Sequence, residues 1–260
     1  MRVGVLGAAG KMGRTACEAV SGEQDMCLAA AVDPSFGDIV IQDVTCTGDM
    51  GCLVEADVEV AVDFTRPDTV MDNIRYCVDH AVHVVVGTTG LGPRELDEIR
   101  SLVEGHHSNV FVAPNFSIGA VLMMHFAKQA AAHLGSCEIV ELHHNQKLDA
   151  PSGTAWKTAQ DIAAVWSAKG RPSGGEPAPG EQEKLPGSRG ADVDGVRVHS
   201  VRLAGLVAHQ EVVFGGPGQM LTLRHDSLDR WSFMPGVVLA VRSVASCPGL
   251  TVGLESLLDL

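Results

Sequence analysis

"RVGVLGAAGKMGRTACEAV", residues 2 to 20, decides how the rest of the chain is read. A short β-branched and aliphatic run ends in glycine, and helix formers follow at once, so the stretch predicts strand, tight turn and helix. The turn has the spacing GxxGxxG. Gly7 permits the sharp reversal, Gly10 lets backbone amides approach a pyrophosphate, and Gly13 lets helix and strand pack closely, while the helix start adds a positive partial charge. Glycines at this spacing also occur in turns that bind nothing. The next apolar run, "LAAAVD" (28–33), favours a nucleotide fold, because Asp33 stands where such folds place a carboxylate for the ribose hydroxyls. Asp33 equally suits the first position of the turn "DPSFGD".

Outward from that unit, "EVAVDF" (59–64), "VHVVVG" (82–87) and "NVFVAP" (109–114) read as three more strands. The intervening helices are expected to open with Pro67 and Pro93 in their first turns. Continuous apolar strands alternating with helices imply a parallel sheet covered on both faces, with ligands at the carboxyl ends of its strands. Polar residues collect at those ends, in Asp63-Phe64-Thr65, Gly87-Thr88-Thr89-Gly90 and Asn115-Phe116-Ser117.

The pattern changes after Phe116. "SIGAVLMMHFAKQAAAHLG" predicts a helix, "CEIVELHH" (137–144) a strand ending in two histidines, and "SGTAWKTAQDIAAVWSA" (152–168) a helix capped by Ser152. Strand alternation puts Glu141 and His143 on one face and Leu142 and His144 on the other, so the two imidazoles are expected to do different work. A histidine exchanges protons near neutral pH, whereas Lys147 supplies fixed positive charge or a proton. Lys147 with the Ser152, Gly153 and Thr154 amides would hold carboxylates, which suits a small dianionic substrate. Residues 169–190 carry Gly or Pro at ten of 22 positions and predict a flexible loop or mobile cover. "VRVHSVRL", "AHQEVVFG" and "QMLTLRH" then predict three strands of a mostly antiparallel sheet, and "FMPGVVLAVRSVAS" a last helix that, with "GLESLLDL", packs back on the first domain. The expected fold class is α/β: a Rossmann-like, doubly wound parallel-sheet domain (1–115 and 231–260) plus a second α+β domain (116–230) with a mixed, mostly antiparallel sheet.

Composition narrows the partners. The net charge of −13 repels polyanions and only 4% of residues are aromatic, which argues against nucleic acid. Local cations can still attract a small anion, because salt screens surface charge beyond about 8 to 10 Å. The start of the chain offers no apolar stretch for a signal peptide or membrane span, so a cytoplasmic place and no membrane partner are expected. Seven cysteines lack any CxxC pair, and adjacent strand histidines diverge without a third ligand, so no metal is expected.

"ELHHNQKLDAPSGTA" (141–155), "VGVLGAAGKMGR", "VVGTTG", "APNFSIG" and "VHSVRLAG" together resemble the 4-hydroxy-tetrahydrodipicolinate reductase (dihydrodipicolinate reductase) family of the diaminopimelate route to lysine, and the likeness runs from residue 2 to 260. The resemblance implies a cyclic, unsaturated dicarboxylate as substrate, NADH or NADPH as hydride donor, and a homotetramer built through sheets of the second domain. By motif, His143 matches the proton donor and acceptor, and Lys147 a second donor that also holds a carboxylate. His144, Ser152, Gly153 and Thr154 fall at the substrate. Gly7, Ala8, Ala9, Gly10, Lys11, Met12, Asp33, Gly87, Thr88, Thr89, Ala113, Pro114, Asn115 and Phe116 fall at the cofactor. Asp33 followed by Pro34, and Ala9 where some relatives carry a basic residue, tilt dual cofactor use toward NADH, with Lys11 and Arg14 left as phosphate partners. The rival readings are a non-catalytic nicotinamide-binding sensor, which would need the glycine turn and Asp33 but not the His143, Lys147 and SGT set, and a related aspartate or semialdehyde dehydrogenase. A semialdehyde enzyme would want a nucleophilic cysteine at a strand end, and none stands there.

Overall fold

A computed structural model of the protein describes residues 1–36, 39–171 and 182–260. The elements run β1 (Arg2–Leu6), α1 (Lys11–Gly22), β2 (Cys27–Val32), β3 (Val40–Ile41), β4 (Val44–Thr47), α2 (Gly51–Glu55), β5 (Val60–Asp63), α3 (Val70–Asp79), β6 (His83–Val86), α4 (Pro93–Val103) and β7 (Val110–Val112). They continue with α5 (Ile118–Ala131), β8 (Ser136–His143), α6 (Gly153–Ala168), β9 (Ala191–Val193), β10 (Val196–Arg202), β11 (Ala208–Gly216), β12 (Gln219–Ser227), α7 (Met234–Ser243) and β13 (Leu250–Val252). Contacts divide them into two units, Met1–Ile118 with Arg230–Leu260, and Gly119–Asp229.

The first unit holds an eight-stranded sheet in the order β13-β7-β6-β5-β1-β2-β4-β3, parallel except for the β3–β4 pair. β5, β6 and β7 have only buried or, at their first residue, half-buried positions, as strands covered on both faces must. The order reverses at β1, with β2 on one side and β5 on the other. That switch point places the turns after β1, β2, β5, β6 and β7 along one edge, where an α/β sheet binds its ligand.

The second unit is built on a five-stranded sheet, β12-β11-β8-β10-β9, in which only the β8–β10 pair is parallel. Ile139, Val198, Val212 and Phe214 pack on one face with Ala155, Ala159, Ile162 and Trp166 of α6 and Met123 and Ala127 of α5. The other face carries half-buried Val140, Leu142, Val201 and Val213. Among the described residues no helix is long and apolar enough to cross a membrane.

One expectation needs correction, and two stretches carry elements that the sequence does not announce. Pro93 opens α4 as foreseen, but Pro67 lies ahead of α3 in a turn whose Arg66 carbonyl accepts the Thr69 and Val70 amides. The stretch 40–55, for which no element is expected from the sequence, forms β3, β4 and α2, and pairing with β2 supplies β4 with a partner that four isolated residues cannot announce. The tail after α7, expected to pack back on the first domain, does so in part through β13, which pairs with β7 from the edge of the sheet. Residues 172–181 of the loop foreseen at 169–190 lie outside the described residues. On its far flank the Glu183 carboxylate accepts the Gly187 and Arg189 amides.

Candidate active site

In the first unit, the Gly7 and Ala8 amides both donate to the Val32 carbonyl, which ties the end of β1 to the end of β2. Gly7 sits at φ +75°, and a Cβ there would stand 2.5 Å from the Phe64 carbonyl oxygen. At Gly13 a Cβ would come within 2.0 Å of the Gly7 carbonyl oxygen, so both positions require glycine for space. Gly10 caps α1 without a side-chain bond, leaving the first-turn amides to an incoming acceptor. Asp33 Oδ2 accepts the Ala9 amide at 3.2 Å and Oδ1 accepts Ser35 at 3.0 Å. It starts its own turn, as the turn reading expects, and it also anchors the glycine turn. Each oxygen keeps a second lone pair for a hydroxyl. Arg14 Nε folds back onto the Ala9 carbonyl at 3.0 Å, and Lys11 is exposed.

Asp63, fully buried, organises the neighbouring strand ends. Its Oδ1 accepts the Thr65 amide, the Thr65 hydroxyl and the Thr88 hydroxyl, and its Oδ2 accepts Asn73 Nδ2 at 2.8 Å. The Thr88 hydroxyl, expected beside the cofactor, is therefore committed to the scaffold, whereas Thr89 is exposed. A Cβ on Gly87 would meet the Phe64 ring at 2.2 Å, and that ring packs edge-on against Phe116 at 6.2 Å. Asn115 Oδ1 accepts the Ser117 amide and closes the turn after β7, in which Ala113 is buried and Pro114 exposed.

In the second unit the alternation of β8 sends Cys137, Ile139 and Glu141 inward, so a carboxylate takes the third apolar position. Glu141 has no exposed surface. Its Oε2 lies 2.5 Å from His143 Nδ1 and 2.8 Å from Arg202 Nη1, and its Oε1 accepts Arg202 Nη2 at 2.8 Å and the Ser152 amide at 3.1 Å. Burial pushes this carboxyl up, but the hydrogen bonds from His143, Arg202 and Ser200 outweigh it and hold it at about 2, below the usual 4.5. An ionised Glu141 can only accept, so the proton of the contact belongs to His143 Nδ1, and Nε2 has no partner among the described residues.

The three amides foreseen at the start of α6 are not equivalent. Ser152 gives its N–H to Glu141 and its hydroxyl accepts from Ala155, so the serine is spent on structure. Gly153 and Thr154 follow it in the first turn, where a helix has no carbonyl for them. Lys147 Nζ contacts both oxygens of Asp149, at 2.7 and 2.9 Å, and the Asp149 carbonyl accepts Arg202 Nη2 at 2.7 Å. One arginine thus ties the end of β8 and the 144–151 loop together. His144 is exposed, and its carbonyl accepts the Lys147 amide. Arg202 is the member that the motif reading missed, although it shares the inward parity of Val196 and Val198.

Two family models cover nearly all of this architecture: dihydrodipicolinate reductase, N-terminus, over residues 1–116, and dihydrodipicolinate reductase, C-terminus, over 119–258. The chain belongs to the dihydrodipicolinate reductase family. It is 54% identical to the 4-hydroxy-tetrahydrodipicolinate reductase of Nocardia farcinica, over all of this chain and 99% of the relative, and 52% identical to that of Mycolicibacterium gilvum over the whole of both. The dipicolinate-bound dihydrodipicolinate reductase from Paenisporosarcina sp. TG-14 superposes with a TM-score of 0.86 at 44% identity, covering 98% of each chain. The family's reaction is the NAD(P)H-dependent reduction of 4-hydroxy-tetrahydrodipicolinate in lysine biosynthesis, and this chain is an oxidoreductase of that kind.

For a reductase of this family, the inward carboxylate has a measurable signature. A carboxyl held at about 2 instead of 4.5 contributes on the order of 3 kcal/mol. Because its folded value is the lower one, that stability is complete above pH 4.5 and is lost as pH falls toward 2. Glu141→Gln is expected to lower stability at pH 7 by about 3 to 5 kcal/mol, since it leaves Arg202 without its charge partner. It is also expected to flatten the acid limb of the stability profile. Denaturant melts from pH 7 to pH 2 check both, and parallel acid limbs in variant and wild type would contradict the assignment.

Proposed function

We propose that His143 and Lys147 supply the protons and charge for this reduction, with dinucleotide held by residues 1–115 and 231–260 and dicarboxylate held by 116–230. Bound NAD(P)H supplies the hydride. The uncapped glycine turn fits a pyrophosphate: Gly7, Ala8, Ala9 and Gly10 shape the turn with their own amides bonded internally, the first-turn amides of Lys11 and Met12 are offered to the ligand, Asp33 offers lone pairs to ribose hydroxyls, and Gly87, Thr88 and Thr89 with Ala113, Pro114, Asn115 and Phe116 complete the strand-end edge.

The observation that carries the proton role is the 2.5 Å contact between Glu141 and His143. A fixed carboxylate at Nδ1 leaves Nε2 as the atom that holds and gives up the proton, the arrangement a general acid needs. Hydride addition puts electron density on the substrate ring, and protonation from Nε2 discharges it. Lys147 Nζ then holds one substrate carboxylate in place of Asp149. The Gly153 and Thr154 amides, at the positive end of a 16-residue helix, hold the other, with His144 at their rim.

Cofactor choice follows from charge. Asp33 repels a 2′-phosphate, while exposed Lys11 and the remaining nitrogens of Arg14 tolerate one, so both cofactors serve with a tilt toward NADH. The face of the second sheet opposite α5 and α6, with Val140, Leu142, Val201 and Val213, suits burial against other copies in a homotetramer. The proposed place of action is the cytoplasm.

His143→Ala is expected to lower kcat by about 10²- to 10⁴-fold while NADH affinity stays within twofold. Absorbance decay at 340 nm with freshly generated synthase product measures the first, and equal turnover would remove His143 from the mechanism. In the same assay the KM for NADH should not exceed that for NADPH, and a tenfold lower KM for NADPH contradicts the tilt. Light scattering of the purified protein should return about four times 27.3 kDa, and a monomer or dimer mass rules the tetramer out.

A further inference from the structure

The register of the second sheet lines up four polar residues. Ser200 on β10, Glu141 on β8, Gln210 on β11 and His225 on β12 are direct cross-strand partners, one row on one face. Two residues along, the same face carries Val198, Ile139, Val212 and Leu223, all apolar. The polar row stands at the end of the sheet that meets the start of α6. Its two middle members both reach that helix. Glu141 accepts the Ser152 amide, and Gln210 Nε2 donates at 2.9 Å to the Thr158 hydroxyl, which in turn donates at 2.7 Å to the Thr154 carbonyl.

Gln210 is 4% exposed and Thr158 1% exposed, so this chain of bonds runs through the core. The other end of the same amide, Gln210 Oε1, is buried with no hydrogen-bond partner among the described residues. A buried acceptor without a donor destabilises the fold, and a methionine would occupy similar volume without that cost. Packing alone therefore does not account for a glutamine here. What the glutamine does achieve is a second anchor, on a second strand, for the turn that presents the Gly153 and Thr154 amides.

We infer that Gln210, acting through Thr158, is a positioning residue for the carboxylate-binding turn at the start of α6. The inference rests on the reading that this turn and Lys147 hold the substrate carboxylates. Neither Gln210 nor Thr158 needs to touch the ligand. Each fixes where the first-turn amides point, and helix-end amides bind an anion only when they converge on it.

The test measures three things for each variant of the full chain: thermal midpoint, dipicolinate affinity by calorimetry, and KM and kcat for the substrate. Gln210→Met and Thr158→Val should each weaken dipicolinate and raise KM by about three- to tenfold, the range of one lost hydrogen bond, with kcat within about twofold. Thr158→Ser, which keeps the hydroxyl, should bind as wild type does. Gln210→Met should melt no lower than wild type. The double variant should recover the stability that Thr158→Val loses, but not the affinity, because both partners of one bond are then gone. Unchanged affinity in Gln210→Met, or a double variant that regains affinity together with stability, overturns the inference. Lys147→Met separates this from the underlying reading. If it weakens dipicolinate and Gln210→Met does not, only the role of Gln210 falls, whereas if neither weakens it the carboxylate site itself is misassigned.

Discussion

A carboxylate with no exposed surface has to be paid for, and in this protein the groups that stabilise Glu141 are the parts of the site. Desolvating one ionised carboxyl costs several kcal/mol unless its oxygens are saturated with donors. Glu141 meets that demand with the fork of Arg202, the imidazole of His143 and the amide of Ser152. Those donors come from a neighbouring strand, from the end of its own strand and from the cap of a helix. The Asp149 carbonyl adds the intervening loop through the same arginine. Satisfying one buried charge therefore fixes a proton-carrying ring relative to a helix N-terminus, with no separate device needed to align them.

The first unit solves a related problem with different means. Asp63 is as deeply buried as Glu141, but its donors are neutral: two hydroxyls, one backbone amide and one side-chain amide. It joins the ends of β5 and β6, as Asp33 on the glycine turn joins those of β1 and β2, and the four strand ends make one edge. Contacts at this edge are close enough that Gly7, Gly13 and Gly87 could not carry a Cβ without displacing backbone or the Phe64 ring. A rigid edge suits a ligand bound mainly by amides, because amides that must reorganise lose what they gain on binding.

How much of this was legible in the sequence depended on the range of the interaction. The glycine turn, the apolar strands and the cap at Ser152 are local patterns, and each forms where its residues announce it. β3, β4 and β13 are too short to show a period and exist through pairing with strands elsewhere in the chain, so they were not foreseen. At the site, His143, Lys147 and the SGT turn stood out because they cluster within 15 residues. Arg202 lies 61 residues from Glu141 in sequence, and only the parallel register of β10 on β8 brings them together. One sign was available: Glu141 falls on the inward parity of Cys137 and Ile139, and Arg202 on that of Val196 and Val198. Two opposite charges at inward positions of two strands predict each other, given the strands.

An acidic protein can still admit a small dianion. The formal charge of −13 is spread over the surface and is largely screened beyond about 8 to 10 Å, so what a ligand meets is local. Locally, Arg202 is already neutralised by Glu141, and its guanidinium is committed to the loop as well. Lys147 is neutralised too, but by a different kind of partner. Asp149 is 60% exposed and two residues away in the same loop, an arrangement in which an ion pair contributes little net free energy. Separating Lys147 from Asp149 returns a carboxylate to water, whereas separating Arg202 from Glu141 would leave a bare charge in the core. Of these two cations the exchangeable one lies in the loop and the permanent one in the sheet, so the Lys147 pair can open without disturbing Glu141 and the imidazole it holds.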